Sequence, residues 1–242
     1  MDAQVFAEHF ELEDTHWWFR SKRTLVLSLL GRYGALGGPG LDVGCGAGGT
    51  LAVLATQGAW VGVDADPAAL RLSRRRGLAH LAGGGAEALP FREGTFATCL
   101  CLDLLYHRNV VSESGALKEC HRVLRAGGLL LVTDSAFKWL RSAHDEAVHA
   151  ARRYTRRELV ERVRAAGFTP LLASYAYCLV FPAVAAVRLA RRGAGGGSDV
   201  FSLPRPLNTA LLGVQAVERA LLRLGSLPFG SSVVLVARKG AA

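Results

Sequence analysis

The chain has 242 residues, half of them apolar, and carries 29 Lys and Arg against 20 Asp and Glu, a formal charge of +9. That is enough apolar material for one large α/β core, and since no linker divides it, a single domain over residues 1–242 is expected. The five cysteines (Cys45, Cys99, Cys101, Cys120 and Cys178) are odd in number, with no C-x-x-C pair and no metal-ligand spacing; this excludes a disulfide framework and leaves reduced core thiols.

The positive charge gathers in arginine clusters at residues 74–76, 152–157 and 188–192. Such clusters suit solvated helix faces, nucleic-acid contacts or a membrane-surface patch. No aromatic interleaving accompanies them, so solvated faces come first and a nucleic-acid partner is not expected. The N-terminus carries Asp2, Glu8, Glu11 and Glu13 and no continuous apolar core, so it does not read as a signal peptide, and the cytoplasm is the default location.

In chain order, residues 14–30 (DTHWWFRSKRTLVLSLL) open with a capping Asp14 and continue with apolar residues at helical spacing, predicting a helix within an N-terminal cap over 14–33. His16, Trp17, Trp18 and Phe19 are too large for a solvent face; they either pack in the core or line a lid over substrate. Residues 41–49 (LDVGCGAGG) read as a short buried strand, a tight glycine turn and the start of an apolar helix. The glycine spacing also satisfies the dinucleotide fingerprint, so Asp42 decides. A carboxylate ending the first strand repels a pyrophosphate at the helix N-terminus but suits a ligand that brings an ammonium group and no phosphate, such as S-adenosyl-L-methionine. Residues 60–64 (WVGVD) form the next parallel strand, and Asp64 lies where an acidic residue can accept both ribose hydroxyls.

Pro67 at a first helical position starts a short helix that ends at Gly77, and residues 78–82 make a third strand. Residues 96–102 (FATCLCL) form the fourth, with Cys99 and Cys101 on one face of it. The following residues 103–107 (DLLYH) fall at the carboxyl ends of the strands, where ligands bind. There His107 is either a catalytic group or a satisfied structural histidine. Ser112 caps an amphipathic helix that carries Cys120 and His121, and residues 129–133 make the fifth strand. Thr155 and Glu158 form a capping box, residues 169–177 the sixth strand, and residues 231–238 the last. Residues 171–187 are uncharged but short for a membrane span and broken by Pro182, which favours a strand followed by a buried or interfacial helix. A flexible loop over 193–199 and a second apolar helix over 207–224 complete a helical insertion at 178–228. It is expected to serve as a lid, a homodimer face or a peripheral membrane contact.

Residues 41–49, 61–64, 86–91 (AEALPF) and 124–133 (LRAGGLLLVT) resemble the successive motifs of class I S-adenosylmethionine-dependent methyltransferases of the small-molecule type. The resemblance runs from about residue 38 to 168. It implies a Rossmann-like α/β fold with a seven-stranded, mostly parallel sheet, an antiparallel last strand and helices on both faces. It also implies a donor site at Asp42, Gly44, Cys45, Gly46, Asp64, Ala65, Ala86, Glu87 and Leu102. Gly85 replaces the acidic residue usual before the adenine, and Ala97 stands where an aspartate is common. The absence of an N-P-P-Y or Pro-Cys signature after the fourth strand argues against base methylation of nucleic acid.

Residues 137–155 (FKWLRSAHDEAVHAARRYT) resemble a pattern in a bacterial subgroup of these enzymes that keeps a tryptophan, a His-Asp pair, a further histidine and an Arg-Arg-Tyr-Thr cap. The subgroup likeness extends to residues 16–19 and 227–230. A loop after the fifth strand overhangs the catalytic mouth, so His144, His149 and His107 are the candidate bases. His16, Trp17, Tyr106, Trp139 and Asp145 are the candidate acceptor contacts, with Asp145 paired to a histidine to raise its basicity. No metal is expected, since metal-dependent members of the fold add several acidic ligands. The expected activity is methyl transfer to a small-molecule acceptor, with hydrophobic, natural-product and lipid- or glycan-linked acceptors all open. The alternatives are a donor-binding relative that performs other chemistry, such as a cyclisation, and an RNA methyltransferase.

Overall fold

The structure is a computed structural model in which residues 3–190 and 202–240 are described. Two helices come first: α1 (Ala3–Leu12) and α2 (Trp17–Arg32). The sequence then alternates apolar strands with helices: β1 (Gly40–Val43), α3 (Gly49–Ala55), β2 (Trp60–Asp64), α4 (Pro67–Arg75), β3 (Leu81–Gly83), β4 (Phe96–Leu102), α5 (Glu113–Val123) and β5 (Leu124–Ser135). A 3-10 turn (Lys138–Leu140) and short α6 (Ala143–Ala147) lead to α7 (Arg156–Ala165) and β6 (Phe168–Ala176). Finally α8 (Phe181–Ala190) and α9 (Arg205–Leu224) precede β7 (Ser232–Lys239).

The strands form one seven-stranded sheet in the order β3-β2-β1-β4-β5-β7-β6, with β7 antiparallel to both its neighbours. This is the Rossmann-like α/β fold that the sequence predicts. The period-two alternation of the central strands sorts their side chains onto two faces. Cys99, Cys101, Leu130, Val132 and Leu235 pack on one side with Leu117 and Cys120 of α5 and Leu159 and Val163 of α7. Leu100, Leu129, Leu131, Val234 and Val236 pack on the other with Val26, Leu29 and Leu30 of α2 and Leu51 and Leu54 of α3. Val26 and Leu30 are fully buried, and each such side chain stabilises the fold by about 1.5–3 kcal/mol. The Sγ atoms of Cys99, Cys101 and Cys120 lie within 4.8 Å of one another inside this core.

The caps follow the sequence closely. Ser112 accepts from the Gly115 N–H, and Thr155 and Glu158 close their capping box. Elsewhere the boundaries move. The first long helix starts at Trp17 with His16 as its N-cap, while Asp14 binds Arg23 and Arg76 at 2.8 Å each. Helix α1 is not expected from the sequence, because its acidic residues obscure its apolar face. The third strand is Leu81–Gly83 rather than 78–82, since Gly77 at φ 84° spends the next residues completing a turn. The loop expected at 193–199 lies outside the described residues. No helix of the described residues is long and apolar enough to cross a membrane.

Candidate active site

Strand order reverses between β1 and β4, and in open α/β sheets the crevice at such a switch point binds ligands. The parallel register sets Asp42 level with Gly62 of β2 and Leu100 of β4, so the turn after Val43 opens at the carboxyl edge of the sheet. Gly44, at φ 73°, adopts a conformation that a side chain resists, and a Cβ there would stand 2.7 Å from the Leu104 side chain. A Cβ on Gly49 would meet the Glu13 carboxylate at 2.2 Å. The glycine turn is therefore closed in by a leucine from the β4 loop and by an acid between α1 and α2.

These elements enclose a cavity of about 530 Å³. All nine residues expected around the methyl donor line it: Asp42, Gly44, Cys45, Gly46, Asp64, Ala65, Ala86, Glu87 and Leu102. Asp64 Oδ2 accepts from the Gly46 N–H and Oδ1 from the Asp66 N–H, both at 2.9 Å, so this carboxylate ties the glycine turn to β2. Each oxygen keeps a second acceptor position for a ligand hydroxyl. Glu87 is also engaged, accepting from the Val111 and Ser112 N–H groups ahead of α5.

Six acids line the cavity, Glu13, Asp42, Asp64, Asp66, Glu87 and Asp103, and burial pushes Asp42, Asp64 and Glu13 above their ordinary values. Asp42 rises to about 7, through burial first and then its neighbours Asp64 and Glu13. A cationic ligand favours the ionised carboxylate, so donor affinity should rise as pH increases toward and through about 7. Because the folded value is raised, the stability contribution of Asp42 runs the opposite way: it is present at low pH and lost as pH rises through about 7. Calorimetric titration with S-adenosylhomocysteine between pH 5.5 and 8 should show affinity falling by up to about tenfold per unit below pH 7, and Asp42→Asn should flatten that slope.

A second, more apolar cavity of about 330 Å³ adjoins the first, and His9, Trp18, Asp103 and Tyr106 line both. Its remaining walls include His16, Trp17, His144, Val148 and, from α8 and α9, Val184, Val187, Leu207 and Leu211. Glu218 of α9 accepts from the N–H groups of Tyr177 and Leu179, which fixes that helix to the end of β6. Asn208 does the same at the other end, accepting from the Trp17 N–H at 2.7 Å and donating to Thr15. Asp103 stands at the boundary of the two cavities at φ 52°, its carboxylate paired with Lys22 and accepting from the Thr133 hydroxyl. Lys22 also lies 3.5 Å over the Trp18 ring.

The remaining sequence-predicted residues divide. His16, Trp17 and Tyr106 line the second cavity, as does His144, while His107 lines only the first. His149 lines neither: its Nε2 is 3.2 Å from Arg108, and its ring is 5.7 Å from that of His107. Trp139 is half exposed and packs among Phe137 and Phe181 on the outside. The expected pairing of Asp145 with a histidine is corrected. Its Oδ1 accepts from Arg153 Nε at 2.6 Å, and its Oδ2 from Arg153 Nη2 at 2.9 Å and from the Ser142 N–H, so its principal partner is a guanidinium rather than an imidazole. Arg152 donates to the carbonyls of Leu105, His107, Val110 and Val111, and the Tyr154 hydroxyl donates to Leu105. The Arg-Arg-Tyr sequence is thus a clamp that shapes the β4 loop. Sequence reasoning missed His9, Glu13 and Lys22; α1 was not anticipated, and only the N-terminal helices folding across the sheet edge bring these three to the cavities.

Residues 41–132 match the family model for the methyltransferase domain. Together with the fold, this identifies the chain as carrying a class I S-adenosylmethionine-dependent methyltransferase domain, and S-adenosylmethionine is the donor the family implies. An uncharacterised 37.1 kDa protein of a Streptomyces fradiae transposon is 29% identical over 209 residues, covering 81% of this chain and 60% of that protein. A demethylmenaquinone methyltransferase of Tropheryma whipplei is 34% identical over 130 residues, or 51% of this chain and 49% of that one. The chain thus spans roughly half the length of these curated relatives. Among solved structures, a Thermotoga maritima S-adenosylmethionine-dependent methyltransferase superposes with a TM-score of 0.61 at 19% identity, covering 98% of this chain and 95% of that one, a likeness of fold.

Proposed function

We propose that the chain transfers the methyl group of S-adenosylmethionine, bound in the first cavity, to a small apolar acceptor in the second. The observation that carries this reading is the shared wall: His9, Trp18, Asp103 and Tyr106 border both cavities, so a methyl presented there has a neighbour to receive it. The acidic rim of the first cavity suits the donor's ammonium group, and Asp64 suits its ribose. The reaction is an in-line displacement in which the acceptor's nucleophilic atom bonds to the methyl carbon as the carbon–sulfur bond breaks. Its acceleration comes chiefly from holding the two partners aligned. Of the three bases expected from the sequence, His144 alone borders the second cavity.

The second cavity gives no support to an RNA acceptor. Its walls are mostly apolar, and Arg76, Arg152 and Arg153 of the basic clusters are spent on Glu13, loop carbonyls and Asp145. Incubating the protein with S-adenosylmethionine and a panel of apolar metabolites should release S-adenosylhomocysteine only when an acceptor is present. An acceptor converted to an isomer with the donor unconsumed would overturn methyl transfer in favour of other chemistry on the same fold.

A further inference from the structure

The carboxylates around the second cavity are already engaged, Asp134 by the Tyr106 and Ser135 N–H groups. Asp103 is paired with Lys22, Asp145 with Arg153, and Glu218 accepts from backbone N–H groups. Besides Asp103 and the phenol of Tyr106, the ionisable groups that face the cavity are bases: His9, His16, His144 and Arg188, with Lys22 at its edge. A protonated amine placed there would meet cations and imidazoles and find no uncompensated carboxylate. An oxygen that gains negative charge as it loses its proton meets the opposite field.

His9 is singled out by position. It is the one histidine among the described residues that lines both cavities; His107 borders only the first, and His16 and His144 only the second. Its ring packs edge-on against Phe19, with centroids 5.1 Å apart, and its buried Nε2 has no hydrogen-bond partner. A buried imidazole nitrogen is costly to leave unsatisfied, and a ligand hydroxyl would satisfy it.

We propose that the acceptor is an apolar molecule bearing an acidic hydroxyl, a phenol or enol, and that His9 is the catalytic base that receives its proton. This rests on the methyl-transfer reading and names its substrate class. The O–H proton passes to His9 Nε2, the oxygen's electron pair forms the bond to the methyl carbon, and the carbon–sulfur pair returns to sulfur, leaving neutral S-adenosylhomocysteine and an imidazolium. Burial, then Lys22, His144 and His16, depress the His9 value to about 4, so the ring is neutral across the physiological range and takes the proton only as the oxygen–methyl bond forms. Asp103, paired with Lys22, is the acidic group facing the same boundary.

The test uses the full chain saturated with S-adenosylhomocysteine and two probes of similar shape, 2-naphthol and 2-(aminomethyl)naphthalene. Calorimetry should show 2-naphthol binding at least about tenfold more tightly than the ammonium analogue. In His9→Gln, 2-naphthol affinity should fall about tenfold or more. Retained S-adenosylhomocysteine binding reports an intact fold, and His9→Asn provides a second variant if His9→Gln does not fold. Equal or tighter binding of the ammonium probe, no naphthol binding, or unchanged 2-naphthol affinity in a folded His9 variant would overturn the proposal while leaving the donor site standing. Failure of the wild-type chain to bind S-adenosylhomocysteine would instead bring down the methyl-transfer reading.

Discussion

Arg153→Ala should lower the unfolding free energy by about 3–5 kcal/mol, the largest loss expected of any single substitution considered for this protein. The side chains of Arg153 and Asp145 are 4% and 2% exposed, and the guanidinium makes two contacts to the carboxylate and a third, at 2.8 Å, to the Ala136 carbonyl. Removing the arginine leaves a desolvated carboxylate with only the Ser142 N–H and the more distant Arg188, 3.9 Å away, as partners. Burial works to raise the Asp145 value, but the Arg153 guanidinium outweighs it and holds the carboxyl below its ordinary range. The stability from this depressed value is therefore present above the ordinary carboxylate range and is lost as pH falls through the folded value. Urea unfolding at neutral pH is the measurement. The double variant Arg153→Met/Asp145→Leu should recover much of the loss, because an apolar pair leaves no buried charge behind. A loss below about 1 kcal/mol for Arg153→Ala would mean the pair is solvated and Asp145 available for other work.

Asp64→Ala should weaken S-adenosylhomocysteine binding by about ten- to a hundredfold, equivalent to about 1.5–3 kcal/mol, without unfolding the protein. Two losses add. A ligand diol loses a charged acceptor, and the Gly46 and Asp66 N–H groups lose the oxygens that fix the glycine turn. The fold survives because Asp64 ends its strand at the cavity wall, and the β1–β2 ladder from Gly40↔Trp60 to Val43↔Val63 does not depend on its side chain. Because burial already raises the Asp64 value, the ionised form is held with effort, and the alanine variant should be no less stable to urea than the parent by more than about 1 kcal/mol. Unchanged donor affinity in a folded variant would count against the cofactor assignment.

The lining of the first cavity was legible because it is built from local sequence. One strand, one glycine turn and the end of the neighbouring strand place Asp42, Gly44, Cys45, Gly46 and Asp64 through a register that parallel pairing enforces. The second cavity is assembled from segments far apart in the chain, and sequence spacing carries no information about which of their side chains meet. His144 lines the second cavity, whereas His149, five residues on and at φ 55°, turns toward Arg108 and His107. Asp145 reads as the partner of an adjacent histidine, yet Arg153, eight residues later, takes it because a buried carboxylate gains most from a guanidinium with two parallel donors. His9 could have been found only by recognising α1, whose alternation of acids and apolar residues gives a weak helical stripe. Its role depends on the helix lying across the sheet edge.

The central claim is that the first cavity accepts a cationic, phosphate-free nucleoside in spite of a glycine pattern that dinucleotide enzymes share. Calorimetric titration of the wild-type chain at pH 7.5 with S-adenosylmethionine and, separately, with NAD tests it most directly. The carboxylates of Asp42, Glu13 and Asp64 at the cavity wall predict single-site binding of S-adenosylmethionine and no measurable binding of NAD, whose pyrophosphate they repel. Binding of NAD with no binding of S-adenosylmethionine would contradict the account.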